Sequence, residues 1–185
     1  MTRHPMLLAI GLIAAFLQVG SQKVATWDEE IRMALTATAI PESVRLEHRA
    51  IHEQLEEAMR APGQVGEAAR ALGTVLHPHF VREEEIALPP LGALAQLAAG
   101  VLPADAMALL KKTDALRREL PGMLAEHTRI RGAVRALGEA ARVERAATYE
   151  RLAEQLALHA QTEEEVLYPA AVLVGDVIRA RMAAR

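Results

Sequence analysis

The 185-residue chain has no cysteine and, among aromatics, only two phenylalanines, two tyrosines and one tryptophan. The missing cysteine excludes disulfides, thiolate metal sites and thiol nucleophiles, so any metal must be held by histidine and carboxylate. Scarce aromatics beside 51% hydrophobic residues, mostly alanine and leucine, argue against a sandwich or barrel and for an all-α chain. Basic charge is also sparse: 21 Lys and Arg stand against 24 Asp and Glu, scattered for a net charge of −3. Without a basic patch and interleaved aromatics, no nucleic-acid partner is expected. The longest apolar run, MLLAIGLIAAFLQV at residues 6–19, falls short of the roughly 20 residues that span a bilayer, so no stable membrane span is predicted. It follows MTRHP and precedes Val19 and Ser21, small residues that fit a cleavage site. Residues 1–21 thus read as a cleaved export signal, giving a periplasmic or secreted protein. A translation start at Met33 would instead make residues 1–32 an upstream extension and the protein cytoplasmic. Nothing in the pattern sets an oligomeric state.

From Pro41 onward the spacing predicts helices almost throughout. The first covers 41–60, opening on a proline suited to a first turn and closing at APGQVG. A second covers 67–88, with Pro78 as a kink or fresh start, and ends at Pro89, Pro90 and Gly92. A short Ala/Leu segment leads to a third helix over 104–140, kinked near Pro121 and Gly122, and a fourth over 143–168, bent at Pro169 before a final turn or two. Four long helices with short links predict an antiparallel up-down four-helix bundle, a single domain over residues 41–181.

Written at alternating steps of four and three, the inward seams are Val44, His48, Ile51, Leu55, Ala58; Leu72, Leu76, His79, Glu83, Ile86; Leu116, Leu120, Met123, His127, Ile130, Val134, Leu137; and Leu152, Leu156, His159, Glu163, Val166. Apart from four histidines and two glutamates, every position is apolar. A single histidine on such a face is usually a core residue bonded to a carbonyl, and a glutamate triplet is usually a solvated run. Six polar residues on four seams call for another explanation, because buried carboxylates cost several kcal/mol unless neutralised. A metal centre neutralises them together.

The chain also repeats itself. Glu47-His48 with Ile51 recurs 79 residues later as Glu126-His127 with Ile130, and His79 with Glu83, Glu84, Glu85 recurs 80 residues later as His159 with Glu163, Glu164, Glu165. Each half is a helical hairpin offering one histidine from its first helix and His-x3-Glu from its second. Two carboxylates between two nitrogen clusters suit a dinuclear site in which each carboxylate bridges both ions.

This pattern, with its EEExxxP tails, resembles the hemerythrin-like (HHE cation-binding) family over residues 42 to about 175. The resemblance implies two non-haem iron ions bridged by carboxylates inside the bundle, with an open position for O2 or another small gas such as NO. It also implies oxygen storage, sensing or detoxification by a binding protein more than an enzyme. A di-iron enzyme acting on peroxide or NO, and an iron-storage protein, are the alternatives. Two features depart from the oxygen-carrying members. They have a second histidine four residues after the one on the third helix, where this chain has Arg131, and they place the last carboxylate five residues after its histidine, which would select Glu164 over Glu163.

The expected metal ligands are therefore His48, His79, Glu83, His127, His159 and Glu163. His52, one turn beyond His48, is either a further ligand or an outer or surface residue. Glu84, Glu85, Glu164 and Glu165 are expected to be solvated, Glu47 and Glu126 to lie off the seams, and His77 to be a bystander. Tyr149 and Tyr168, the two tyrosines, are expected to pack in the core or to stand near the metal. Met123, Leu124, Leu76, Phe80, Leu55, Ile51, Leu156 and Val166 are expected to line a dry pocket that excludes proton donors.

Overall fold

The computed structural model describes residues 40–184; the signal-like segment and Met33 lie outside the described residues. Helix α1 spans Glu42–Arg60, α2 Gly63–Arg82, a short α3 Leu94–Ala98, α4 Ala106–Val143, α5 Ala147–Thr162 and α6 Tyr168–Ala183. No strand occurs among the described residues. None of their helices is long and apolar enough to cross a membrane.

The four long helices form a closed ring of neighbours: α1 packs on α2 and α5, and α4 packs on α2 and α5. This is the packing that the four apolar seams require, each helix burying its stripe against two others. The seams bury as expected at most positions, with Val44 and Leu120 half-buried. Helix α2 begins four residues earlier than its periodicity suggests, at Gly63, where Gln64 N–H donates to Glu144 Oε1 at the end of α4 (2.5 Å). A carboxylate from another helix thus satisfies one of the free amides of the first turn. Pro78 and Pro121 both sit inside continuous helices and mark no fresh start.

Two segments break the α-helical period, and both carry the glutamate triplets. Glu83–Ala87 and Glu163–Leu167 are single π-helical turns. Each closes by a bond spanning five residues onto the first glutamate: Leu88 N–H donates to Glu83 O (2.9 Å), and Tyr168 N–H to Glu163 O. A π turn inserts one extra residue into the helix and rotates everything beyond it. After Glu163 the next fully buried side chain is therefore Tyr168, five residues on, and Val166 is 55% exposed. The expected place of Val166 on the seam and in a pocket lining is thereby corrected.

The two halves diverge at the prolines. Pro89 and Pro90 lead into a 3-10 helix, Pro89–Ala93, and then the short α3. Pro169 sits in the first turn of α6, where a missing N–H costs nothing, and the helix runs sixteen residues to Ala183. The expected final turn or two after Pro169 is in fact a full helix. It lies so close to α4 that a Cβ on Gly175 would meet Thr113 Cβ at 2.8 Å.

The core is divided. One apolar cluster gathers Ile51, Leu55, Leu72, Leu76, Phe80, Ile130, Val134, Leu137, Leu152 and Leu156; another gathers Ile86, Leu88, Leu91, Leu116, Met123, Tyr168 and Ala171. The six polar seam residues fall between the two along every helix. Leu124 is exposed, which removes it from the expected pocket lining, and Met123 belongs to the second cluster.

Candidate metal centre

His48, His79, Glu83, His127, His159 and Glu163 are all buried, none more than 3% exposed. One helix each supplies His48 (α1), His79 (α2), His127 (α4) and His159 (α5), and the two glutamates open the π turns that follow α2 and α5. Their donor atoms converge in two groups, His48, Glu83, His159, Glu163 and His79, Glu83, His127, Glu163, with the atoms of each group within 4.8 Å of one another.

Both carboxylates serve both groups, one oxygen each. Glu83 Oε1 lies 3.3 Å from His79 Nε2 and its Oε2 lies 3.9 Å from His48 Nε2. Glu163 Oε1 lies 2.8 Å from His159 Nε2 and 3.6 Å from His48 Nε2, and its Oε2 lies 3.4 Å from His127 Nε2. In the first group His48 Nε2 and Glu83 Oε2 are buried without any hydrogen-bond partner, while His159 Nε2 and Glu163 Oε1 face each other 2.8 Å apart. Two unpaired ligand atoms aimed at the same point as that close pair fit a cation, since otherwise each would carry a desolvation cost of about 1–3 kcal/mol.

Residues 118–184 match the hemerythrin HHE cation-binding domain. No curated protein and no solved structure matches the chain. The HHE match contains His127, His159 and Glu163, and the internal repeat brings His48, His79 and Glu83 to the same point. HHE similarity and the buried His/Glu groups together imply cation binding.

Around this centre stands a second set of carboxylates. His48 Nδ1 meets Glu84 Oε1 at 3.3 Å, His79 Nδ1 meets Glu126 Oε2 at 2.9 Å, His127 Nδ1 meets Glu164 Oε1 at 2.8 Å and His159 Nδ1 meets Glu47 Oε1 at 3.2 Å. Each outer oxygen accepts from Nδ1–H, so once Nε2 gives up any proton its lone pair points inward, as metal binding needs. Glu84 and Glu164, expected to be solvated, also meet an imidazole, and Glu47 and Glu126, which lie off the seams, do the same. Their side chains are 28% to 50% exposed, so they face water on one side and an imidazole on the other. The sequence carried a signal for them: an acidic residue precedes His48 and His127 and follows Glu83 and Glu163 in both repeats.

Arg131, standing where oxygen carriers have a histidine, pairs with Glu164 and so braces the outer set. Glu164 is thereby committed outward and Glu163 inward. Burial pushes the Glu164 carboxyl up, but Arg131 and His127 outweigh it and hold it below the usual range.

The inner charges are unequal. Burial raises Glu83, helped by the charge of Glu163, whereas three imidazoles hold Glu163 well below the ordinary carboxylate range despite its burial. Burial pulls His79 down, yet Glu83, Glu126 and Glu163 outweigh it and raise it to about 9. His159 is raised in the same way, chiefly by Glu163.

Tyr168 enters the centre itself. Its hydroxyl donates to Glu83 Oε1 and lies 3.3 Å from His127 Nε2 and 3.4 Å from His79 Nε2. Burial pushes the phenol far up, with Glu83 and Glu163 adding to it. Tyr149 is only partly buried and packs on the first apolar cluster.

His52 stands outside both groups. Its half-buried ring contacts Phe80 (centroids 5.5 Å) and the exposed His77 (5.6 Å), while Phe80 stacks on His48 (4.3 Å). Replacing His52 by alanine is expected to leave the bound metal unchanged and to cost under about 1 kcal/mol. Elemental analysis with a thermal melt checks this, and loss of an ion would make His52 a ligand.

Proposed function

We propose that residues 41–181 form an antiparallel up-down bundle holding two iron ions, one at His48 and His159 and one at His79 and His127, bridged by Glu83 and Glu163. On this reading the protein binds O2 or NO reversibly, for storage, sensing or detoxification. The observation that carries it is the sharing of two buried carboxylates, one oxygen each, between two histidine pairs. Iron, when bound, supplies the electrons that O2 binding requires.

The chain's own residues then do three things. The four outer glutamates fix the imidazole tautomers. Phe80, stacked on His48, and the first apolar cluster keep water from one side of the centre. Glu83 and Glu163 neutralise positive charge that the interior would otherwise leave uncompensated.

Reduced, iron-loaded protein is expected to develop a visible charge-transfer band on aeration that disappears when O2 is removed. A spectrum unchanged by O2 and by NO would overturn the gas-binding reading. Tyr168, a hydroxyl donor inside the centre, favours the alternative of a di-iron enzyme acting on peroxide or NO. Steady consumption of either by the purified, loaded protein would establish that alternative.

Metal loading should release protons. In the metal-free protein His79 is raised from about 6.5 to about 9, so near neutral pH it holds a proton that metal must displace. Apparent metal affinity is therefore expected to fall as pH drops below about 9. Conversely, the stability His79 gives the metal-free fold is complete below about pH 6.5 and is lost as pH rises through about 9. Titration calorimetry in buffers of different ionisation enthalpy measures the released protons, and metal-free melts between pH 6 and 9.5 measure the stability. Loading without proton release at pH 7 would contradict both.

A further inference from the structure

The inward ligand atoms of the two halves differ at one place. The repeat that maps His79 on His159 and Glu83 on Glu163 maps Leu88 on Tyr168, because both residues close their π turns five positions after the shared glutamate. Leu88 brings no donor atom, and Tyr168 brings a phenol oxygen to within hydrogen-bond range of Glu83, His79 and His127.

We infer that Tyr168 is a ligand of the ion held by His79 and His127, so that one ion carries a phenolate and its partner does not. The inference rests on the two-metal reading above and deepens it.

Spacing is the first support. Donors at adjacent corners of an octahedral ion with bonds of about 2.0–2.1 Å stand about 3 Å apart. Around this position His79 Nε2 and His127 Nε2 are 2.8 Å apart, Tyr168 Oη is 3.4 Å and 3.3 Å from them, and Glu83 Oε1 and Glu163 Oε2 are 3.3 Å from His79 Nε2 and 3.4 Å from His127 Nε2. Tyr168 Oη stands at ligand spacing from both imidazoles, and its hydrogen bond to Glu83 Oε1 is the contact that ligation would replace.

Orientation is the second support. The phenol is 1% exposed and its ring stacks against that of His127, with centroids 5.6 Å apart and planes inclined by 25°. The π turn at Glu163–Leu167 supplies the extra residue that turns Tyr168 inward, where an uninterrupted helix would have presented Val166. Phenolate is also a hard oxygen donor that iron accepts. On binding, the O–H bond gives way to an O–iron bond and the proton leaves to solvent.

The asymmetry has a functional consequence. Among the described residues no fifth histidine or carboxylate joins the group of His48 and His159, in which His48 Nε2 and Glu83 Oε2 have no hydrogen-bond partner. An added small ligand is therefore directed to the ion beside His48 and Phe80. With its oxygen on iron, Tyr168 is no longer a free hydroxyl donor, which weakens the case for turnover and strengthens that for binding.

The test uses the full chain loaded with iron and oxidised by ferricyanide without O2, read by metal analysis, visible absorption and resonance Raman spectroscopy. The expected result is a phenolate-to-Fe(III) band whose excitation enhances tyrosine ring modes. Both are lost in Tyr168→Phe, which keeps the ring and its bound iron, and both are kept in Tyr149→Phe. Iron bound by the wild type without those modes, or modes that survive Tyr168→Phe, would overturn the inference and leave the two-metal reading standing. A wild type that takes up no metal would overturn that reading and this inference with it. The wild-type Raman spectrum decides the matter even if the phenylalanine variant does not fold.

Discussion

Stripping the two proposed iron ions from the protein is expected to lower its melting temperature by about 15–30 °C. A ligand at 1,000 times its dissociation constant stabilises the folded state by about 4 kcal/mol, and two ions therefore give about 8 kcal/mol. For a chain of this size 1 kcal/mol moves the midpoint by about 2–4 °C. The metal-free state also retains two buried atoms without partners, His48 Nε2 and Glu83 Oε2, and a Glu83 carboxyl raised by burial. Scanning calorimetry of loaded and chelator-treated protein makes the comparison. Midpoints that coincide would mean that the fold pairs its six polar seam residues without metal. His79→Ala and His159→Ala should reproduce much of the shift, since each deletes an inward nitrogen from a different group.

The six inner residues were legible because burial follows helical period. Steps of four and three placed His48, His79, Glu83, His127, His159 and Glu163 on apolar stripes, and all six are buried. The period fails where the helix stops being an α-helix. Nothing in EEEIA or EEEVL announces a π turn, so the seam runs on to Val166 instead of stepping five residues to Tyr168. The contacts of the outer glutamates were hidden for a different reason. Whether a half-exposed carboxylate meets water or an imidazole depends on the neighbouring helix, and a one-helix pattern holds no information about that neighbour.

The outer contacts themselves obey the repeat. Glu84 reaches back to His48 and Glu164 to His127, each within its own hairpin. Glu47 reaches across to His159 and Glu126 to His79, each joining one hairpin to the other. Two of the four contacts thus hold the halves together at the height of the buried histidines and glutamates. The centre is braced from outside by the same repeat that builds it from within.

Neighbouring glutamates in each triplet should therefore respond differently to substitution. Glu163→Gln keeps the shape of the side chain and removes the charge that faces His48, His127 and His159, so both groups lose a shared anionic donor. It is expected to abolish tight binding of both ions at once. Glu164→Ala removes only the acceptor for His127 Nδ1 and frees the exposed Arg131, and losses of this outer kind weaken metal binding roughly 10–100-fold. By the repeat, Glu83→Gln should behave as Glu163→Gln does, and Glu84→Ala as Glu164→Ala does. Iron content after exhaustive dialysis, with affinities from chelator competition, separates the two classes. If Glu164→Ala emptied the centre while Glu163→Gln left it filled, the bridge would belong to the residue five positions after His159, and the inward placement of Glu163 would not be that of the metal-bound protein.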